Sequence, residues 1–183
     1  MKLKTSLKIW LPFAVVITAF SMLVYASVQQ VYRQAANDPQ IQMANDAADA
    51  LNSGSSIESI VPQVKVFFAK SLAPFYVIYD SNGKSIAGSG ILDGNLPEIP
   101  KGVLDAAKQD GENRRTWQPT DAVRIAAVVV PYNDGFVLAG RNLREVEVRE
   151  AQVQMFATVT WLLALIATFV VIALGEYFLV NEK

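Results

Sequence analysis

The sequence predicts an α+β protein: a five-stranded antiparallel sheet with helices before it, carried between two transmembrane helices. Two observations predict the sheet and one predicts its setting. The apolar period changes from helical to extended at Phe75, and Asn-Gly and Asp-Gly turn signals then divide the second half of the chain into short strands. The setting follows from distribution: 52% of the 183 residues are hydrophobic, and they pile up at the two ends.

From Ile9 to Val28 no residue is charged. A helix of that length rises about 30 Å, the thickness of a bilayer's hydrocarbon core. Met155 to Gly175 repeats the pattern. Trp10, Tyr25, Trp161 and Tyr177 stand near the ends of these runs, where interfacial anchoring favours aromatic rings. The domain plan is therefore residues 1–8 as a cytoplasmic N-terminus, 9–28 as the first span, 29–154 outside, 155–175 as the second span, and 176–183 as a cytoplasmic tail. Lys2, Lys4 and Lys8 precede the first span with no acid among them, which holds that end in the cytoplasm and exports the middle. Two crossings return the chain, so both termini lie inside. The alternative for the first span is a cleaved signal peptide, with Val24-Tyr25-Ala26 resembling a cleavage site. The apolar run is long for that role, and either outcome exports residues 29–154.

Helical spacing of Ile41, Ala44, Ala48 and Leu51 predicts a helix after the first span, broken near Asn37-Asp38-Pro39 because proline removes a backbone donor and disfavours helix at the residue before it. Ser55 and Glu58 have capping-box spacing, so a second helix is expected, with Val61, Val64, Phe68 and Leu72 on one face. Phe75 to Tyr79 and Lys84 to Ala87 form a hairpin, which the Asn82-Gly83 pair assigns to a type I′ turn. Residues 88–100 are a loop and Lys101 to Gln109 a short helix ended by Asp110-Gly111. Three strands follow: Glu112 to Gln118, Ala122 to Val130, and Phe136 to Arg141, the last pair joined through Asn133-Asp134-Gly135. Val123 to Val130 is apolar except for Arg124, as in a strand covered on both faces. Asn142 and Glu145 cap a helix that runs into the second span.

This order resembles the PAS-like, single Cache type of extracytoplasmic sensor domain of bacterial sensor histidine kinases and chemoreceptors. The residues that carry the likeness are the strand into Asp80-Ser81-Asn82-Gly83-Lys84, the late strand VRIAAVVVPYN, and GFVLAGRNLREVEVRE leading into a span; residues 29–175 are covered. The resemblance implies a signal-transduction role of the two-component kind. Such receptors continue past the second span into an output domain, whereas Glu176 to Lys183 is short, and without any histidine the chain cannot hold a kinase's phospho-accepting residue. A signal would pass through a separate membrane signalling partner or through helix contacts in the membrane.

Chemistry is sparse. With neither histidine nor cysteine, the usual general bases, thiol nucleophiles and zinc ligands are missing, so no catalytic residue, metal or cofactor is expected, and no enzyme. Ser81-Asn82-Gly83-Lys84 matches S-x-x-K in spacing, but it straddles a turn where that chemistry needs one helical turn. Asp80, Asn82 and Gly83 resemble the start of a calcium loop without its later ligands. Residues 29–154 carry 15 acids against 12 bases, a net charge of −3, and no basic stripe, which excludes a nucleic-acid partner.

The ligand-site candidates are polar or aromatic residues in an apolar sheet: Arg115 and Trp117 on one strand, Arg124 on the next, and Tyr132 at a strand end. An inward Arg115 or Arg124 would bind a carboxylate or phosphate bidentately. The plainer alternative is that both arginines face water and Trp117 simply packs. The resemblance places a pocket between the sheet and the segment crossing it, about Ile91 to Gln109. The expected function is a membrane-anchored sensor or signalling accessory, binding an unidentified small molecule or a protein and working as a homodimer in the lipid bilayer. The alternative is a non-enzymatic structural or interaction subunit of a membrane complex.

Overall fold

The computed structural model describes residues 3–181; Lys2 of the basic flank and the last two residues of the tail lie outside them. The fold is mixed α+β, with a five-stranded antiparallel sheet and two helices long and apolar enough to cross a membrane. The chain divides into two compact units, one of residues 1–32 with 148–183 and the other Arg33–Glu147.

The first unit holds the apolar part of helix α1 (Leu3–Asn52) and most of helix α4 (Arg144–Asn181). Their apolar side chains are largely exposed, among them Phe13, Phe20, Leu163 and Val171. Polar groups join the two helices. The Trp10 indole donates to the Leu165 carbonyl (3.0 Å) and the Trp161 indole to Thr18 Oγ1 (3.0 Å), while the buried Ser6 hydroxyl donates to the Glu176 carboxylate. Trp10 also meets Phe169 edge-on, with ring centroids 5.8 Å apart.

The second unit is built on strands β2 (Phe75–Asp80), β3 (Ser85–Gly88), β5 (Asn113–Thr120), β6 (Val123–Tyr132) and β7 (Gly135–Asn142), in the order β3-β2-β7-β6-β5. Side chains alternate between its faces. One face carries Phe75, Val77, Tyr79, Ile125, Ala127, Val129, Phe136 and Leu138 and is covered by helix α3 (Lys101–Asp110) through Val103, Leu104 and Ala107. The other carries Ile78, Val128, Val130, Val137 and Ala139 and is covered by the second half of α1 through Ala44, Ala47 and Ala48. Both faces of β6 and β7 are therefore buried, as the continuous apolar run predicts.

Three local expectations fail for identifiable reasons. Helix α1 runs unbroken through Asn37-Asp38-Pro39. The bond that Pro39 cannot make belongs to the Ala35 carbonyl, and both residues are exposed, so water can serve that carbonyl while packing on either side holds the helix. The second predicted helix shrinks to α2 (Ile57–Ile60), and Phe68 sits instead just past a two-residue strand β1 (Val66–Phe67) that pairs in parallel with β4 (Gly90–Ile91). Pro62 lies beyond the first turn, where proline is tolerated, and it drives Val61 to an extended ψ of 116°. The hairpin turn is not type I′, since Asn82 keeps a negative φ and only Gly83 is left-handed at +85°. Asp80 Oδ1 accepts from the amides of Asn82 (2.9 Å) and Lys84 (2.8 Å), and the Asp80 carbonyl accepts from Gly83 (3.0 Å), giving a three-residue loop ended by a glycine bulge.

Gly135, predicted as a turn residue, is paired in β7 opposite Asp80. A Cβ there would stand 2.0 Å from the Tyr79 carbonyl oxygen, so glycine is required for the approach of two backbones. Gly111 ends α3 in the left-handed region at φ +84°, as Asp110-Gly111 predicts.

Candidate functional site

The site is built where edge strand β5 meets the loop before α3. Trp117 pairs with Ile125 across the ladder, which turns its side chain to the α3 face, where it is 8% exposed. Its ring lies 6.2 Å from that of Phe68, and Phe68 stacks on Phe75 at 4.5 Å with 14° between the planes. Beyond Trp117 the register slips before Thr120, taking Gln118 and Pro119 out of regular pairing.

The opposite wall is the loop of residues 92–100. Asp93 (φ 48°) and Gly94 (φ 85°) close a tight turn sealed by the paired backbones of Leu92 and Asn95. Below it, the buried Tyr79 hydroxyl donates to the Pro97 carbonyl at 3.0 Å and ties the loop to the sheet. Burial pushes the Tyr79 phenol well above its ordinary pKa, and the nearby Glu98 carboxylate raises it further. Between the walls lies a solvent-open cleft of about 500 Å³, lined by Leu92 and Pro97 to Pro100 on one side and Trp117 to Pro119 on the other.

The cleft sits on the loop side of the expected position. Between the sheet and α3 the space is filled: Tyr79, Val103, Leu104, Ala107, Phe136 and Leu138 are all buried in one cluster.

Of the four candidate residues, only Trp117 lines the cleft. Arg115 is exposed, its Nε donating to Asn113 Oδ1 on its own strand (2.8 Å). Arg124 is also exposed and pairs with Glu147 in the first turn of α4. Tyr132 packs against the cluster on the α1 face, and its phenol is raised by burial and then by Asp134 and Asp80. The four do not form one site. Glu98 and the prolines at 97, 100 and 119 carry only a weak sequence signal: NLPEIPK and QPT are proline-stiffened segments, and QPT alone adjoins an aromatic residue, Trp117.

A second constellation lies where the sheet feeds α4. The buried Asn142 carboxamide donates to the Phe68 carbonyl (2.7 Å), and its oxygen accepts from the Arg144 amide (2.8 Å), capping α4. Arg141 Nε donates to the Leu72 carbonyl (3.1 Å) and Arg144 Nη2 to the Lys70 carbonyl (3.3 Å). With the Arg124–Glu147 pair, these bonds fasten the start of α4 to the sheet and to the segment carrying Phe68.

Among the described residues, no three His, Cys, Asp or Glu side chains gather as a metal site. No protein family, curated protein or solved structure matches the chain.

Proposed function

We propose that the protein is a membrane-anchored sensor or signalling accessory whose PAS-like domain, outside the cytoplasm, binds a small ligand without transforming it and relays occupancy through α4 to a membrane partner. One observation carries the reading: the cleft residue Trp117 packs on Phe68, and the Phe68 carbonyl is held by the side chain that caps α4. A ligand that shifts Trp117 acts on Phe68, and Phe68 cannot move without disturbing Asn142. Because α4 continues without a break into its apolar segment, movement of its first turn is movement of a rod.

The test uses the full chain in lipid nanodiscs. A ligand from a broad metabolite panel should raise the melting temperature by mass action. It should also change the distance, across a homodimer of the chain, between spin labels on an Ala151→Cys variant, whose cysteine is unique because the chain has none. Asn142→Ala should abolish the distance change while preserving ligand binding. Binding with no change in label distances would refute the relay.

The filled space between the sheet and α3 favours a second reading, a non-enzymatic interaction subunit that recognises a protein at the open cleft. Crosslinking from Gln118 to one membrane protein, with no stabilising metabolite, would establish that reading.

A further inference from the structure

The chemistry of the cleft walls restricts what they can hold. Proline has no backbone N–H, and positions 97, 100 and 119 of the lining are proline. The lining is therefore short of main-chain donors, while the Pro97 and Pro100 carbonyls already accept from the Tyr79 hydroxyl and the Val103 amide. Glu98 adds a carboxylate acceptor, and the lining includes no lysine or arginine. The arginines that would suit an anion are directed elsewhere, Arg115 to Asn113 and Arg124 to Glu147. The side-chain donors of the lining are the neutral Trp117 indole and Gln118 carboxamide, so an anionic ligand would lose its hydration here without finding a cationic partner.

The apolar part of the lining has a matching bias. Leu92, Ile99 and the proline rings give a firm hydrophobic wall, and Trp117 supplies the aromatic ring with the strongest attraction for cations. Glu98 is exposed, so its charge is available at the mouth, and it is close enough to bear on the Tyr79 phenol beneath the loop. We infer that the cleft binds a small organic cation, an amine or quaternary ammonium with an apolar body, whose charged head sits between the Glu98 carboxylate and Trp117 and whose body lies against Leu92 and the prolines. The inference rests on the sensor reading and gives it a ligand class. A cleft of about 500 Å³ suits a molecule of ten to fifteen non-hydrogen atoms, in the range of ordinary small-molecule sites.

The experiment compares three ring compounds of similar size on the full chain in nanodiscs: benzyltrimethylammonium, benzyl alcohol and benzoate. Affinity is read by calorimetry. Location is read by fluorine resonances of 5-fluorotryptophan, with Trp117 assigned by Trp10→Phe and Trp161→Phe variants. The cation should bind and shift the Trp117 resonance, the alcohol should bind more weakly and the benzoate weakest. Glu98→Gln should reduce cation affinity about fivefold, as loss of a part-exposed charge pair does, and leave the alcohol unaffected. Glu112→Gln, a half-buried acid paired with Arg114 outside the cleft, should change neither. Benzoate binding as tightly as the cation, or an unchanged cation affinity in Glu98→Gln, would overturn the inference, as would failure of the cation to shift Trp117. If a metabolite of another charge shifts Trp117 and moves the labels on α4, the ligand class fails while the sensor reading stands. If no compound moves those labels, the sensor reading fails with it.

Discussion

At the scale of single residues, the domain depends on polar side chains placed inside apolar surroundings. Tyr79 is fully buried in the sheet's α3-side cluster, yet its hydroxyl reaches the Pro97 carbonyl, so its burial leaves no donor unpaired and fixes the loop that makes one cleft wall. A consequence follows at alkaline pH. In the unfolded chain a tyrosine phenol loses its proton near pH 10. The folded Tyr79 phenol, raised first by burial and then by Glu98, keeps its proton beyond that point. Above about pH 9 the unfolded state therefore binds fewer protons than the folded one, and stability falls as pH rises; below that both states are protonated and the phenol gives no slope. Tyr79→Phe should lose about 1 kcal/mol at pH 7.5, where the Pro97 carbonyl is left without its donor, but should show a shallower decline between pH 9 and 11. Urea midpoints across that range test this, and a parallel decline in both proteins would contradict it. Tyr76 and Tyr132 are also raised by burial, so the slope should diminish rather than vanish.

At the scale of elements, what was legible in the sequence was whatever a local rule decides alone. Strand alternation from Phe75 to Tyr79, the two-faced burial of Val123 to Val130 and the glycine stop at Gly111 all follow from period and turn chemistry. The failures occur where two rules compete. Ser55 and Glu58 promise a capped helix start, but the N-cap is Ser56 without a side-chain cap bond, and Pro62, the sixth residue from Ile57, stops the helix sterically. At Pro39 the outcome is reversed, since Ala44, Ala47 and Ala48 are locked against the sheet on one side and an apolar rod continues on the other. The cleft was harder to read than either. Trp117 could be picked out as an aromatic residue in a polar strand, but its partners come from a loop some twenty residues earlier, and only the fold, with the loop tied to the sheet through Tyr79, brings them together.

The Pro39 turn is therefore held by its neighbours against its own preferences. Next to it, the fully buried Gln40 carboxamide has no hydrogen-bond partner for either polar atom among the described residues, an uncompensated cost of about 1–3 kcal/mol. Pro39→Ala restores a helical hydrogen bond and Gln40→Met removes the stranded amide at nearly constant volume. Each should stabilise the full chain by about 1–2 kcal/mol, read as a rise in urea midpoint. A fall in either variant would show that the local penalty is already relieved.

At the scale of the whole molecule, charge and hydropathy place the chain where its residues can be satisfied. The apolar parts of α1 and α4 leave Phe13, Phe20, Leu163 and Val171 exposed, a surface that water would penalise by on the order of 25 cal/mol per Å² and that lipid accommodates. The sheet has the opposite requirement, because the outer edges of β3 and β5 present unpaired backbone groups that need water or protein partners. We propose that the chain meets both demands with the apolar parts of α1 and α4 in a bilayer and the sheet in water. For the side, we propose from Lys4 and Lys8, with no acid in the same flank, an N-terminus in the cytoplasm and an exported sheet. The absence of cysteine makes this directly measurable. In otherwise wild-type protein in intact cells, a cysteine replacing Ser81 at the hairpin tip should react with a membrane-impermeant maleimide, and one replacing Lys4 should react only after the membrane is opened. The reverse pattern would invert the topology and move the cleft to the cytoplasm. Equal reaction at both positions before lysis would remove the two-span arrangement, and with it the transmembrane relay through α4.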